Sequence, residues 1–389
     1  MSAGLEQPAL QPRVPTATRI VSVDLVRGAV MILMAIDHVR VYSGIPAGGP
    51  TPGIFFTRWI THFCAPAFIF LAGTSAFLYG RRHPDLPRFL VTRGLWLVLL
   101  ELTVIRVAWT FNLDFAHYLL AGVIWAIGWC MVLMAGLVRL PLPVVGGVGV
   151  GIIALHNAVM PALVPALPPA LRAVLYTAFA DEPIGPLMVL YSIVPWIGVM
   201  AAGYAFGWVL TLEPARRDRI CRATGVVAVV LFLVLRGSNL YGDPRPWSAG
   251  GRMPTAISFL NTTKYPASLS FLLMTLGPTI WLMPRLERAR GMIARAVNVF
   301  GQVPFFYYVL HIPLIHALAL GVSWIRQGAV SPWLFANHPM GNPPPPEGYT
   351  WSLGLLYAVW AVTILILYPA CLRFADLKAH SSARWLRYL

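Results

Sequence analysis

The sequence predicts an all-α, polytopic transmembrane helical bundle of about ten spans, with both termini in the cytoplasm. Three observations lead there. Of 389 residues only 11% are charged, hydrophobic residues make up 58%, and the mean hydropathy is +0.70. A soluble chain of this size needs about twice that charged share to cover its surface. Ten apolar runs are long enough to cross a bilayer, and the basic residues gather in alternate loops between them. An ordinary soluble enzyme, a disordered chain and a fibrous repeat are excluded.

Residues 1–18, rich in Pro, Ala and Gln, read as a flexible N-terminal segment. The membrane domain is expected over 19–375 and a cytoplasmic tail over 376–389. The run from Ile20 is too long for a signal peptide and carries Asp24, Arg27 and Asp37, so it reads as an uncleaved first span near 20–43. Further spans are expected near 54–79, 89–112, 116–138, 143–163, 186–211, 221–237, 266–284, 297–322 and 351–373. Two long loops, about 238–265 and 323–350, hold aromatics and turn residues and are expected outside.

Charge orients the bundle. Arg81, Arg82 and Arg88, then Arg216, Arg217 and Arg219, then Arg285, Arg288 and Arg290, mark loops on one side, whereas 44–53 carries no charge. Positive loops face the cytoplasm. The excess of 29 Lys and Arg over 14 Asp and Glu therefore reflects topology, with membrane lipid and not nucleic acid as the expected partner. The four cysteines form no C-x-x-C pair and read as small buried hydrophobes.

Ionisable side chains within spans are costly and face a protein interior or a wet cavity. In the first span Arg27 and His38 are eleven residues apart. At about 100° per residue they share one face, about 16 Å apart along the axis. Asp24 falls on nearly the same side. The second span carries Arg58 and His62 at i,i+4 in its outer third; the ninth carries Tyr307 and His311, again i,i+4, with His311 about 20 Å in from Asn298 on a continuous helix. Glu101 and Arg106 read as internal glue. No P-loop, dinucleotide fingerprint, H-E-x-x-H or G-x-S-x-G occurs.

A buried neutral His serves as a general base. Acyl transfer from a thioester needs such a base, an oxyanion donor and a cationic site for carrier phosphates, which Arg supplies. An Arg low and a His high on one helix suit a long donor entering from the cytoplasm, with Asp114 as a carboxylate to orient the imidazole. The competing reading is a transporter or flippase of a small or lipid-linked polar solute, suggested by Pro66, Pro195 and Pro313 within spans.

The segments RIVSVDLVRGAVMILMAIDH and FFTRWITHFCAPAFIFLAGTSAFLYG resemble the start of the heparan-alpha-glucosaminide N-acetyltransferase catalytic domain and its bacterial relatives, within the transmembrane acyltransferases. VIWAIGWCMVLMAG, YSIVPWIGVMAAGYAFG, FLNTTKYPASLSFLLMTLGP and FGQVPFFYYVLHIPLIH are similar to the same branch. The resemblance implies acetyl transfer from cytoplasmic acetyl-CoA to a glycan or glycolipid beyond the membrane, without a metal, in a bacterial inner membrane; a homodimer is compatible with it. It carries the essential His to His38, with Arg27 as its companion, and matches His311 to the late motif. The lysosomal enzyme's active His lies in the loop after the first span, and loop 44–53 here has none. The expected site is thus His38, Asp114 and His311 for catalysis, with Arg27, Asp24, Arg58, His62, Asn261 and Lys264 for substrate binding.

Overall fold

The computed structural model describes residues 20–49, 51–176, 184–251, 254–339 and 342–381. The N-terminal segment 1–18, and the tail beyond Ser381, lie outside them.

Helix α1 (Val21–Ser43) packs against the helix that follows it and against four of the last helices of the chain. It ends at Gly44, whose φ of 72° is the left-handed cap that glycine adopts without strain. The second apolar run forms α2 (Pro52–Trp59), a 3-10 turn at Ile60–Phe63, and α3 (Cys64–Gly80). The third forms α4 (Leu86–Leu100), a π-helical turn at Glu101–Ile105, and α5 (Arg106–Thr110). The strand β1 (Leu119–Ala121) leads into α6 (Val123–Leu137) and α7 (Leu142–Leu163). After α8 (Pro169–Tyr176) and β2 (Leu187–Val189) come α9 (Ile193–Phe206) and α10 (Pro214–Ser238). The last part holds α11 (Thr255–Leu260), α12 (Leu269–Glu287), α13 (Met292–Gln302), α14 (Pro304–Gln327) and α15 (Leu353–His380).

Among the described residues, seven helical stretches are long and apolar enough to cross a membrane: 52–80, 142–166, 193–211, 214–238, 269–287, 304–327 and 353–380. The chain is a mostly helical, multi-pass membrane protein. The other three expected spans take different forms. α1 is long enough but carries Asp24, Arg27, Asp37 and Arg40. The third is divided by the π turn. The helical part of the fourth is only 15 residues, about 22 Å.

Three sequence expectations are corrected. Residues 119–121 and 187–189, expected within spans, instead pair as a short parallel ladder, Leu119 opposite Leu187. The ninth run is broken at Val303, with φ −132° and ψ 50°, because Pro304 lacks an N–H and pushes its predecessor out of helical geometry. His311 is therefore seven residues into α14, roughly 10 Å from its start. α15 runs on to His380, past the expected span end near residue 373. All four cysteines are free and buried.

Water gives helices little reason to associate inside a bilayer, so close packing at small residues does. α1 crosses α13 where a Cβ on Gly28 would lie 1.9 Å from the Val297 carbonyl oxygen, and one on Gly301 would lie 1.8 Å from that of Asp24. α3 crosses α9 in the same way at Gly73 and Gly203, where a Cβ on either would lie 2.0 Å from an opposing carbonyl oxygen. These two crossings fix α1 against α13 and α3 against α9. α10 packs on α12, α7 on α9 and α4 on α6.

Candidate functional site

His38 on α1 and His311 on α14 are 273 residues apart and meet: His38 Nδ1 lies 2.6 Å from His311 Nε2. The rings stack with centroids 4.8 Å apart and planes 22° apart. His311 is wholly buried, and its Nδ1 lies 2.7 Å from the Tyr308 carbonyl oxygen and 3.1 Å from that of Tyr307. A carbonyl only accepts, so His311 Nδ1 carries the hydrogen. With both rings neutral, His311 Nε2 then accepts, His38 Nδ1–H donates to it, and His38 Nε2 keeps its lone pair. That is the tautomer a general base requires. Trp109 packs edge-on to His38 at 4.8 Å between centroids, held through its carbonyl oxygen, which accepts from Tyr42 Oη at 2.8 Å.

His38 lines a cavity of about 1230 Å³. A second cavity, about 520 Å³, is lined by Arg27, Arg93 and Lys378, with Met31, Phe68 and Leu97 along its walls. Tyr308 and Val123 line both, so the two adjoin there. The stripe expected on α1 thus runs between cavities, with Arg27 and Met31 in the smaller and His38 in the larger. Arg27 is tied to α3 through the Leu71 carbonyl at 3.3 Å and the Ser75 hydroxyl, and faces Asp24 at 3.7 Å.

The larger cavity also receives Arg58, His62, Asn261 and Lys264. Arg58 and His62 are not on one continuous α-helix as expected, because the 3-10 turn at 60–63 intervenes, yet both reach this cavity. The loop bearing Asn261 and Lys264 is pinned from beneath. Arg236 donates to the carbonyls of Phe259, Arg245, Ser258 and Asn261 at 2.7–3.3 Å. Asp243 accepts from Thr263 N at 2.9 Å, Thr263 Oγ1 at 2.7 Å and Ser268 Oγ at 2.8 Å.

Asp114 does not meet His38. Its carboxylate takes His117 Nδ1 at 2.6 Å and Asn337 Nδ2 at 2.9 Å. Those two hydrogen bonds hold its carboxyl below the usual range. Arg106, wholly buried, donates to the carbonyls of Tyr118, Asn112 and Asp114 at 2.9, 2.5 and 2.7 Å, so it fastens the loop that Asp114 sits on. The reason is distance along the helix: five residues of α5 and a left-handed turn at Phe111 carry Asp114 to the surface. Asp37 is likewise taken, by Arg40 Nε at 2.7 Å.

Sequence reasoning passed over Tyr308, Trp109, Arg93 and Lys378 as site residues, and assigned Glu101 to packing. Glu101 lines the larger cavity from the π turn, is 1% exposed, and its Oε2 has no hydrogen-bond partner. π turns gather at functional sites, but nothing in the local sequence announces one. Arg93 on α4 and Lys378 on α15 are far apart in sequence, and only the fold brings them to one cavity. Among the described residues no group of three or more His, Cys, Asp and Glu could hold a metal.

The family model described as Heparan-alpha-glucosaminide N-acetyltransferase, catalytic, matches residues 19–240. That is more than half of the chain, and the chain belongs to this family of membrane acetyltransferases. The matched region includes Arg27, His38, Arg58, His62 and Asp114; Lys264 and His311 lie beyond it. A search of curated proteins found no match.

Proposed function

We propose that this member of the heparan-alpha-glucosaminide N-acetyltransferase family moves an acetyl group from cytoplasmic acetyl-CoA to an amine or hydroxyl of a glycan or glycolipid on the far side of a bacterial inner membrane. In this reading the chain crosses ten times with both termini inside, α1 and the divided third and fourth segments included. The observation that carries it is the His38–His311 pair beside the place where two cavities adjoin.

The smaller cavity suits the donor. Arg27, Arg93 and Lys378 present positive charge to diphosphate and phosphate groups, and its apolar walls suit a pantetheine arm. The thioester then lies near Tyr308. The acceptor enters the larger cavity and gives its proton to His38 Nε2 as its N or O attacks the thioester carbonyl carbon. The tetrahedral oxyanion is stabilised by the Tyr308 hydroxyl. It collapses with cleavage of the C–S bond, and the imidazolium of His38 returns the proton to the departing thiolate, giving CoA-SH and the acetylated acceptor. His311 fixes the His38 tautomer and spreads the positive charge through the N–H···N contact. Asp114, at the surface and paired elsewhere, takes no part.

The test is binding of acetyl-CoA to the lipid-reconstituted protein, followed by CoA release on addition of amino-sugar acceptors. Saturable binding that weakens in Arg27→Ala, with CoA release lost in His38→Ala, is expected. Solute uptake into vesicles with no consumption of acyl donor would instead establish transport.

A further inference from the structure

We propose that the larger cavity contains a phosphate-binding subsite for the acceptor, made by Lys264 and Arg58 beside His62. The occupant's identity as acceptor rests on the transferase reading; the subsite itself does not.

Lys264 is 6% exposed, and no carboxylate among the described residues lies within 4.0 Å of it. Its ammonium lies near the ring faces of Tyr265, at 5.2 Å, and Tyr191, at 6.0 Å from the centroids, with Asp37 within electrostatic reach. Arg58 Nε is buried without a hydrogen-bond partner, and its guanidinium forms no ion pair among the described residues. His62 is 4% exposed, and both of its ring nitrogens lack partners. All three line the same cavity, and Lys264 and Arg58 both lie within electrostatic reach of His62.

The acids nearby are already committed. Asp37 is held by Arg40 at 2.7 Å, and Asp243 by Arg236 at 3.8 Å and its loop hydroxyls. Arg40, Lys264 and Arg58 all act on the single carboxylate of Asp37, which leaves these groups about two positive charges in excess, and such an excess is expensive unless an anion joins it. A phosphate monoester carries about −1.5 to −2 charge at pH 7 and three acceptor oxygens, which matches two cations and an imidazole N–H. A carboxylate would neutralise one cation and leave the other. The acceptor is therefore a phosphate-bearing sugar or a lipid-linked one, with its nucleophile directed at His38 and its phosphate at Lys264 and Arg58.

The test is equilibrium binding of glucosamine 6-phosphate, glucosamine, glucuronate and inorganic phosphate to the full chain in phosphatidylcholine nanodiscs. Glucosamine 6-phosphate should bind at least about tenfold tighter than glucosamine or glucuronate. Lys264→Met and Arg58→Gln should each weaken it about tenfold to a hundredfold, the range for a lost charged hydrogen bond, and Lys264→Arg should retain it within a few-fold. Repeating the titration with phosphatidate in the disc separates the sources. Competition by phosphatidate that Lys264→Met abolishes assigns the site to a lipid phosphate; its absence assigns it to a soluble sugar phosphate. Equal binding of glucosamine and its phosphate, or wild-type affinity in both variants, overturns the proposal. So does competition between acetyl-CoA and glucosamine 6-phosphate, which would give these cations to the donor. Phosphate binding in a protein that binds no acetyl-CoA would keep the subsite and dismiss the transferase reading.

Discussion

Replacing His311 tests the site where the structure is most specific. His311 makes one contact that matters to chemistry, the 2.6 Å approach of its Nε2 to His38 Nδ1. His311→Leu leaves a filled core but removes the acceptor, so His38 Nδ1–H is left unsatisfied and the ring is free to adopt the other tautomer. An unmade buried hydrogen bond costs about 1–3 kcal/mol, or roughly 5- to 150-fold at 1.4 kcal/mol per decade. His311→Gln supplies a carbonyl oxygen that still accepts, and should fall by less than about tenfold. His38→Ala removes the base itself, a loss of about 10²–10⁴-fold. The double variant His38→Ala/His311→Leu should be no slower than His38→Ala alone, because the partner acts only through the base. The assay is CoA thiol release from acetyl-CoA in nanodiscs with an amino-sugar acceptor, alongside thermal melting to show that each variant is folded. Wild-type turnover in His311→Leu, equal losses in the Leu and Gln variants, or additive losses in the double variant would refute the tautomer argument.

Other outcomes follow from the same geometry. Arg93→Ala should weaken acetyl-CoA about tenfold while leaving pantetheine binding unchanged, read by competition titration, because the proposed donor pose sets this cavity-lining arginine against the phosphates and not the arm. Gly28→Val should fail to give a folded protein by size exclusion, since its Cβ would meet the Val297 carbonyl oxygen at 1.9 Å in backbone that cannot move aside. Asp114→Asn should leave turnover within about twofold, because its carboxylate binds His117 and Asn337 and not His38. His338 stacks on Trp333 at 3.8 Å, and burial pushes its pKa down to about 3. The unfolded chain takes up that proton first, near pH 6.5, so stability should fall as pH drops from about 6.5 towards 3. His338→Phe should flatten part of that slope in melts recorded across the range.

How much of this was legible in the sequence can be judged residue by residue. Composition identified a helical membrane bundle, because a bilayer admits few other ways to satisfy the backbone. Helical periodicity put Arg27 and His38 on one stripe of α1, a local property that 3.6 residues per turn fixes without reference to the rest of the chain. The apolar runs located most helices to within a few residues. The same reasoning overran where local geometry departs from an even helix. Residues 119–121 and 187–189 are apolar enough to read as membrane helix, yet pair as strands. The ninth run breaks at Val303 because of Pro304, a signal present in the sequence but outweighed by the length of the apolar run.

The candidate site divides in the same way. His38 and His311 could each be singled out as costly residues in apolar helices, and Asp114 was chosen for His38 only because a carboxylate is the usual orienter of an imidazole. That His38 meets His311 and not Asp114 depends on how α1 and α14 approach; α1 is held at Gly28 against Val297 and at Asp24 against Gly301 of α13, the helix that leads directly into α14. The junction of two cavities at Tyr308 and Val123, and the gathering of Arg27, Arg93 and Lys378 around one of them, are likewise long-range results. Sequence determined which residues are expensive to bury, since that cost belongs to each side chain. Only the tertiary structure decided which of them share that cost, because partnership depends on helix packing between segments hundreds of residues apart.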